Sequence, residues 1–187
     1  MGRDKAALDF GGRTLLQLTA QPLAAVADEI VLVRARGQQL PPIEVEATLI
    51  EVEDPVEGKG PLVGIAAGLR AASAPVAIVV AVDMPFLQPE LLRLLADRVS
   101  AGARWALPIA HGRPQPLCSA FATAALPMLD AHIEAGDRAP MAAAADLEVV
   151  RLREDVWSTV DPEGRSFLNV NTPQEFEQAL ALLEDRD

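Results

Sequence analysis

The sequence is poor in the residues on which many catalytic and metal sites depend. Its 187 residues include one cysteine, Cys118, and two histidines, His111 and His132. A single cysteine cannot form an intramolecular disulfide, which fits a reducing cytosol and predicts a cytoplasmic protein. Neither histidine has metal-ligand spacing with the other or with Cys118. Ser119 lacks the Gly-x-Ser-x-Gly pattern of a nucleophilic serine. The composition therefore argues against zinc and against Cys–His or Ser–His catalysis.

Positive charge and long apolar runs are scarce as well. The chain has 16 Lys and Arg against 27 Asp and Glu, for a formal net charge of −11. A nucleic-acid backbone is therefore not an expected partner, although a few local cations and amides can still hold a small anion. No run of about 18 apolar residues could span a bilayer. The N-terminus also lacks the basic-then-apolar pattern of a signal peptide. We expect no nucleic-acid and no membrane partner.

Hydrophobic residues make up 50% of the chain, enough for one α/β domain over residues 1–187. Apolar runs of strand length alternate with helical patterns, as in a doubly wound sheet. The predicted strands are Glu29–Arg34, Thr48–Val52, Ala77–Val82, Arg104–Pro108, Leu117–Phe121 and Leu147–Arg151. The predicted helices are Thr14–Ala27, Leu62–Ala72, Pro89–Val99, Ala122–Ala135 and Pro173–Glu184.

The run Ala77–Val82 (AIVVAV) has no polar alternation, which predicts a central parallel strand covered on both faces. Ligands of such sheets bind beyond the carboxyl ends of the strands. Asp83 comes directly after this run and is placed to hold Mg²⁺, which prefers oxygen ligands shared with phosphates. The alternative is that Asp83-Met84-Pro85 is only a turn that ends the strand.

The chain opens with a glycine-bearing loop, residues 1–12, that contains Lys5 and precedes a helix. Such a loop can hold nucleotide phosphates through its lysine and its backbone amides. It normally follows a buried strand, and no strand precedes it here. Either the loop is built differently, or the chain begins inside its own active-site loop. We favour the second explanation.

Three further segments follow predicted strands or enter them. Residues 51–60 end a strand and form a glycine-rich loop, in which Lys59 is either a second phosphate contact or a solvated lysine. Asn169 and Asn171, at i and i+2, either offer amides to a ligand or hydrated metal or serve turns and helix capping. Gln115, in a proline-flanked segment, lies either in the wall of a second substrate site or in an edge turn. Trp105 and Trp157 are expected to pack inside the protein.

Taken in order, these segments resemble the molybdenum cofactor guanylyltransferases. The resemblance covers nearly the whole chain, and the ordered set is more specific than any one motif. The Asn-x-Asn-Thr-Pro ending favours this branch over cytidylyltransferases and sugar-phosphate nucleotidyltransferases, which share the loop and the aspartate. The matching segments are Met1-Gly2-x-Asp4-Lys5, Phe10-Gly11-Gly12, Leu15-Leu16, Glu53-Asp54, Gly60-Pro61-Leu62-x-Gly64, Asp83-Met84-Pro85-Phe86, Pro114-Gln115-Pro116-Leu117 and Asn169-Val170-Asn171-Thr172-Pro173-x-Glu175.

The resemblance implies a three-layer Rossmann-like nucleotidyltransferase fold with a mostly parallel central sheet. It implies transfer of GMP from GTP to the phosphate of molybdopterin, with Lys5 on the phosphates and Mg²⁺ on Asp83. Asp54 matches a nucleotide-binding position of the family. Asn169 and Asn171 match its active-site asparagines. Gln115 would lie toward molybdopterin. The implied partners also include molybdenum-insertion proteins or recipient molybdoenzymes.

Two departures from the family pattern affect these expectations. The family begins with a strand inside the sheet and a Leu-Ala-Gly-Gly half-loop, just before the methionine that is Met1 here. Without that strand, two neighbouring strands would have unpaired edges. We therefore expect an in-frame upstream extension, which sequencing of the native N-terminus would test. Arg34 stands where guanylyl members can carry an asparagine, although it can still reach the nucleotide.

Two alternatives stay open from the sequence. The first is a cytidylyl- or sugar-phosphate nucleotidyltransferase of the same fold. The second is a non-catalytic nucleotide-binding accessory protein. Retention of Lys5, Asp83, Asn169 and Asn171 in family order favours an enzyme.

Overall fold

The computed structural model of the protein describes residues 5–54 and 60–184. The predicted phosphate contact Lys59 and the loop residues 1–4 lie outside these ranges. The strands are β1 (Asp9–Phe10), β2 (Arg13–Thr14), β3 (Glu29–Arg34), β4 (Thr48–Glu53), β5 (Val76–Val80), β6 (Trp105–Ala110), β7 (Arg113–Pro114), β8 (Cys118–Ala122) and β9 (Val149–Leu152). The α-helices are α1 (Leu15–Ala24), α2 (Pro61–Ala71), α3 (Pro89–Ser100), α4 (Leu126–Glu134), α5 (Glu154–Trp157) and α6 (Pro173–Glu184).

Most predicted elements are confirmed, and their errors lie at the ends. The strand Glu29–Arg34 and the helix Pro173–Glu184 have the predicted bounds. The helix predicted for Ala122–Ala135 begins only at Leu126, because Ala122 still pairs with Val76 at the end of β8. A 3-10 turn over residues 123–125 separates the two elements.

The strands form a short antiparallel hairpin of β1 and β2, a parallel pair and a mostly antiparallel sheet, in place of one mostly parallel sheet. β3 and β4 pair in parallel, from Glu29 opposite Thr48 to Arg34 opposite Glu53. The second sheet has the order β5-β8-β6-β7, and β9 joins β6 in parallel. The antiparallel pairings of β8 with both β5 and β6 therefore correct the expectation of a mostly parallel sheet. The Rossmann-like arrangement of helices and strands is retained.

The prediction that Ala77–Val82 is a central parallel strand is wrong in its pairing, whereas coverage of both faces is confirmed, because Ile78 packs against one apolar cluster and Val79 against the other. The strand β5 pairs antiparallel with β8, and all five of its residues are only half-buried. Among the described residues, β5 pairs with β8 alone and β3 with β4 alone. An unbroken apolar run indicates that a strand's faces are covered, but it does not reveal which neighbours lie along its edges. The expected pair of open edges is confirmed, and the cavity of about 800 Å³ between them is called the β3–β5 slot.

Helices cover the larger sheet on both faces. Along β6, Trp105 and Leu107 pack with α2 and α4, whereas Ala106 and Ala110 pack with α3. This two-residue alternation is that of a strand between two apolar layers. Both tryptophans are buried, as expected. Trp105 stacks on Phe121 and donates a hydrogen bond to Ser119. The three-layer arrangement is thus confirmed for this sheet.

A third apolar cluster connects the first hairpin with the last helix. The ring centroids of Phe10, in β1, and Phe176, in α6, are 4.5 Å apart. Phe86 and Val170 are buried in the same cluster. Gly11 and Gly12 close the β1–β2 turn with positive φ angles of 62° and 88°, which glycine adopts without strain. This cluster brings together three segments distant in sequence. No helix among the described residues is long and apolar enough to cross a membrane.

Candidate functional site

Three of the predicted site residues meet beyond the carboxyl end of β5. The Lys5 ammonium lies 3.1 Å from Asp83 Oδ2 and 2.6 Å from Asn171 Oδ1. The side chains of Lys5 and Asp83 are 35% and 16% exposed, so the group lies at the surface but is partly desolvated. An ammonium, a carboxylate and an amide therefore form one partly exposed cluster, in which the cation can reach an anionic ligand.

Backbone contacts from two sides hold Asp83 in place. The Thr19 hydroxyl, on α1, lies 2.9 Å from the carbonyl oxygen of Val82 and 3.4 Å from that of Met84, and it donates to them. The Val170 amide donates to the Asp83 carbonyl at 2.9 Å. Since Thr19 and Val170 are both buried, water does not compete for these bonds. The position of the carboxylate is thus set by α1 and by the segment before α6.

A capping box at the start of α6 holds Asn171. The Glu175 carboxylate accepts from the amides of Asn171, at 2.7 Å, and of Thr172, at 2.9 Å. The Thr172 hydroxyl accepts from the Glu175 amide at 3.2 Å. These amide hydrogen bonds, first from Asn171 and then from Thr172, lower the pKa of Glu175, and nearby Lys5 contributes. Asn171 thus belongs to the helix cap through its backbone amide and contacts Lys5 through its side chain. Capping, one of the two alternatives from the sequence, is confirmed, and contact with a ligand or hydrated metal stays a prediction.

Asn169 lies on the same segment, two residues before Asn171. Its side chain is exposed, while Val170 between them is buried. The structure therefore places Asn169 at the surface, two residues from the Lys5–Asp83–Asn171 cluster, with no role assigned by geometry.

Arg34 and Asp54 lie at the carboxyl end of the β3–β4 pair. The Arg34 guanidinium pairs with Glu51 at 3.1 Å and Glu53 at 2.9 Å. The Asp54 amide donates to the Arg34 carbonyl at 2.7 Å. Both residues line the β3–β5 slot. The sequence did not predict that carboxylates of the neighbouring strand would hold the Arg34 guanidinium.

Gln115 directly follows β7, the short strand that forms a hairpin with β6. Its side-chain amide donates to the carbonyls of Ala110, at 3.3 Å, and Arg113, at 3.4 Å. These contacts are those of an edge turn. A position beside a second substrate stays a prediction.

Cys118 and His132, the other titratable residues that the sequence raised as candidates, make contacts that belong to the fold. Cys118 is fully buried, which raises the pKa of its thiol to about 12, and nearby Asp161 adds to the rise. His132 lies between Asp137, at 2.8 Å, and Asp146, at 3.0 Å. These carboxylates, Asp137 foremost, raise its pKa. Among the described residues, no group of three or more His, Cys, Asp or Glu side chains could hold a metal ion. Asp83 would thus have to share a divalent cation with water and ligand oxygens, as Mg²⁺ sites commonly do.

Sequence reasoning missed the supporting residues Thr19 and Glu175 as parts of this site. The spacing Thr172-x-x-Glu175 is a readable capping box, so Glu175 could have been predicted to fix the amide of Asn171. Thr19 carries no such signal, because its partners lie more than 60 residues away and only the packing of α1 brings them together.

The comparisons with known proteins agree with the geometry. A family profile described as "MobA-like NTP transferase domain" matches residues 1–150. A probable molybdenum cofactor guanylyltransferase of Mycobacterium avium is 39% identical over 178 residues, covering 92% of this chain and 84% of that protein. One from Chloroflexus aggregans is 32% identical over 188 residues, covering 97% and 88%.

A solved structure supports the same relationship. The molybdopterin-guanine dinucleotide biosynthesis protein A of Archaeoglobus fulgidus superposes with a TM-score of 0.79 at 27% identity. The alignment covers 98% of this chain and 92% of that one. The likeness thus extends over nearly the whole chain.

Proposed function

Because the chain belongs to the family of MobA-like NTP transferase domains, we propose that it moves GMP from GTP to the terminal phosphate of molybdopterin and releases pyrophosphate. The observation that carries the proposal is the Lys5–Asp83–Asn171 cluster beyond β5. The names of the two relatives support the choice of nucleotide and acceptor.

The chemistry of this transfer suits the residues present. A phosphate oxygen of molybdopterin forms a bond to the α-phosphorus of GTP while the bond to the β-phosphate oxygen breaks. The attacking phosphate is already ionised at neutral pH, so no strong general base is needed. Positioning and neutralisation of charge supply the rate enhancement. Lys5 supplies the positive charge, and Asn171 and Asp83 orient its ammonium.

We propose Asp83 as the residue that holds Mg²⁺. The backbone of Asp83 is held in place, and its carboxylate remains partly exposed, so that water and phosphate oxygens can reach it. A bound Mg²⁺ would neutralise phosphate charge. Without Mg²⁺, the Lys5 ammonium compensates the charge of the Asp83 carboxylate.

The other predicted residues have proposed places around this centre. Arg34 and Asp54 would lie toward the nucleotide, with Glu51 and Glu53 restricting the Arg34 guanidinium. Gln115, Asn169 and Asn171 would lie on the side of the second substrate. Molybdenum-insertion proteins or recipient molybdoenzymes are the proposed partners, and the cytoplasm is the proposed location.

Pyrophosphate release is the experiment that tests this function. The protein with Mg²⁺ and molybdopterin should release pyrophosphate from GTP faster than from CTP, and Asp83→Ala should abolish release. Faster release from CTP would instead identify a cytidylyltransferase. Absence of release by a folded sample that still binds GTP would identify an accessory protein.

A further inference from the structure

The helix α2 begins without a capping side chain of its own. Gly60 stands at the cap position and Pro61 has no amide hydrogen, so the first amide of the helix is that of Leu62. Leu62 is fully buried, and its amide donates to the carbonyl of Arg138 at 3.1 Å. A buried amide at a helix start needs such a partner. The turn after α4, residues 135–139, therefore caps α2 and is called the Arg138 turn.

The contact between the Arg138 turn and α2 leaves no spare room. A Cβ added to Gly60 would lie 2.8 Å from the Arg138 carbonyl oxygen and 3.0 Å from Arg138 Cβ. Gly60 also has a φ of 88°, which glycine adopts without strain. The start of α2 therefore keeps its position only while the Arg138 turn keeps its own.

Two basic side chains hold the Arg138 turn. The Arg138 guanidinium donates to the carbonyls of Ile133, at 3.0 Å, and Asp137, at 2.6 Å. His132 lies 2.8 Å from Asp137 Oδ2 through Nδ1 and 3.0 Å from Asp146 Oδ2 through Nε2. Both ring nitrogens donate only when the imidazole is protonated. The imidazolium thus connects the end of α4 with both sides of the turn.

The elements packed against α4 bring one further charge toward His132. These elements are α2 and the 3-10 turns over residues 123–125 and 140–145. The 3-10 turns carry no charged residue, and α2 carries Arg70, which pairs with Asp130 of α4 at 2.7 Å. Glu134, on α4 itself, is exposed. Histidine is the side chain among these that ordinarily changes charge near neutral pH.

The start of α2 also packs against Asp54, one of the residues proposed to bind the nucleotide. A Cβ added to Gly64, in the first turn of α2, would lie 3.9 Å from Asp54 Oδ2. Pro61, Gly64 and Asp54 line the β3–β5 slot together. A displacement of the start of α2 would therefore reach the Asp54 carboxylate.

We propose that protonated His132 acts as a clip that holds the Arg138 turn against the start of α2, and that loss of its proton loosens this start and weakens the binding of GTP. His132 is a positioning residue, because it acts through Arg138 and α2. GTP would bind more tightly below the pKa of His132, which Asp137 foremost and Asp146 raise, than above it. The effect on GTP rests on the proposed function, whereas the coupling of His132 to the Leu62 amide does not.

Nuclear magnetic resonance between about pH 6 and pH 9 tests the coupling without any ligand. The ring resonances of His132 report its proton. Exchange of the Leu62 amide, corrected for its intrinsic pH dependence, reports the start of α2. We expect this exchange to accelerate by about tenfold as His132 loses its proton, a size typical of coupled sites. The amide of Ala72, which donates to Gly68 at the far end of α2, should accelerate less.

Three variants separate the clip from its surroundings. His132→Gln should remove the pH-dependent transition of the Leu62 amide. Asp146→Asn removes one carboxylate, so it should lower the pKa of His132 and move the Leu62 transition to the same lower pH. The matched control Asp130→Asn breaks the ion pair with Arg70 in the last turn of α2 and should leave the transition in place. If His132→Gln does not fold, Asp146→Asn decides the question.

Calorimetric titration with GTP and Mg²⁺ tests the consequence for the nucleotide. The protein and His132→Gln are compared at each pH, because ionisation of GTP affects both alike. We expect the protein to bind GTP about fivefold more tightly than His132→Gln near pH 6, and equally near pH 9. By reciprocity, bound GTP should raise the pKa of His132.

The proposal is wrong if the Leu62 amide does not follow the titration of His132 in the folded protein. Equal acceleration at Ala72 would also overturn it, because the whole helix would then loosen. A constant ratio of GTP affinities between the protein and His132→Gln across the pH range would contradict the effect on the nucleotide. If the protein binds no GTP at any pH, the proposed function fails, and the Leu62 measurement alone decides the clip.

Discussion

Lys5 supplies the positive charge of the candidate site, and its ammonium is oriented by an acidic and an amide oxygen. We predict that Lys5→Met lowers the rate of pyrophosphate release by about 100-fold or more, since preorganised charge at a developing anion contributes effects of this order. Steady-state kinetics with GTP provides the measurement. Arg104→Met makes the same change of charge at an exposed site and should leave the rate unchanged. An equal loss in both variants would show that overall charge, not Lys5, is responsible.

Glu175 acts through Asn171 and is a positioning residue. Its amide hydrogen bonds lower its pKa, so the stability it contributes is present above the unfolded value near 4.5 and is lost as pH falls through the lower folded value. We predict that the unfolding midpoint of the protein falls more steeply below pH 4.5 than that of Glu175→Gln. Thermal melts between about pH 6 and pH 3 measure this difference. Identical pH profiles would contradict the assigned role.

Loss of the contact that positions Asn171 should also change the kinetic constants of Glu175→Ala. We expect kcat to fall more than the KM for GTP rises, because Asn171 orients Lys5 without being the main phosphate contact. Restoration of kcat by Glu175→Gln, which keeps an acceptor oxygen, would support the positioning role. A variant that lost only stability, with kcat unchanged, would contradict it.

At the scale of elements, His132 connects the end of α4 with the turns that follow it. A neutral imidazole has one N–H, so hydrogen bonds to both Asp137 and Asp146 require the imidazolium. Its raised pKa means that its contribution to stability is fully present below the unfolded value of 6.5 and is lost as pH rises through the folded value.

We therefore predict that the unfolding midpoint falls between about pH 6 and pH 9 in the protein and that this fall is smaller in His132→Gln. Thermal melts across this range measure it. His111→Asn is the matched control, because His111 lies in an exposed turn with a φ of 51°, a conformation that asparagine also adopts. If the control flattened the profile as much as His132→Gln, the assignment to the Asp137–His132–Asp146 contact would be wrong.

Elements were predictable from the sequence where local signals were strong. Proline in the first turn identified the start of α3, and Thr172 before Pro173 identified the start of α6. Pairing partners were not predictable in the same way. The run that became β5 indicates burial, but the antiparallel strand β8 comes about forty residues later and carries no signal for its partner. The convergence of Lys5, Asp83 and Asn171 followed from the family motifs, whereas Thr19 emerged only from packing.

For the whole molecule, the apolar clusters explain why the site forms at all. Phe10, Phe86, Val170 and Phe176 belong to one cluster, and each lies a few residues from Lys5, Asp83, Asn171 or Glu175. Segments separated by more than 160 residues are thus brought within hydrogen-bonding distance. The β3–β5 slot lies beside this region and shares its lining with Arg34 and Asp54. Ala6 and Val82, the chain neighbours of Lys5 and Asp83, also line the slot, so the slot borders the candidate site.

The fate of the α-phosphate of GTP tests the central claim most directly. With GTP labelled at the α-phosphorus, Mg²⁺ and molybdopterin, we predict that the label appears in the molybdopterin-containing product and that Asp83→Ala prevents this transfer. GTP labelled at the γ-phosphorus should give labelled pyrophosphate only. Transfer of the γ-label to molybdopterin, or transfer of the α-label that survives Asp83→Ala unchanged, would contradict nucleotidyl transfer at the Lys5–Asp83–Asn171 cluster.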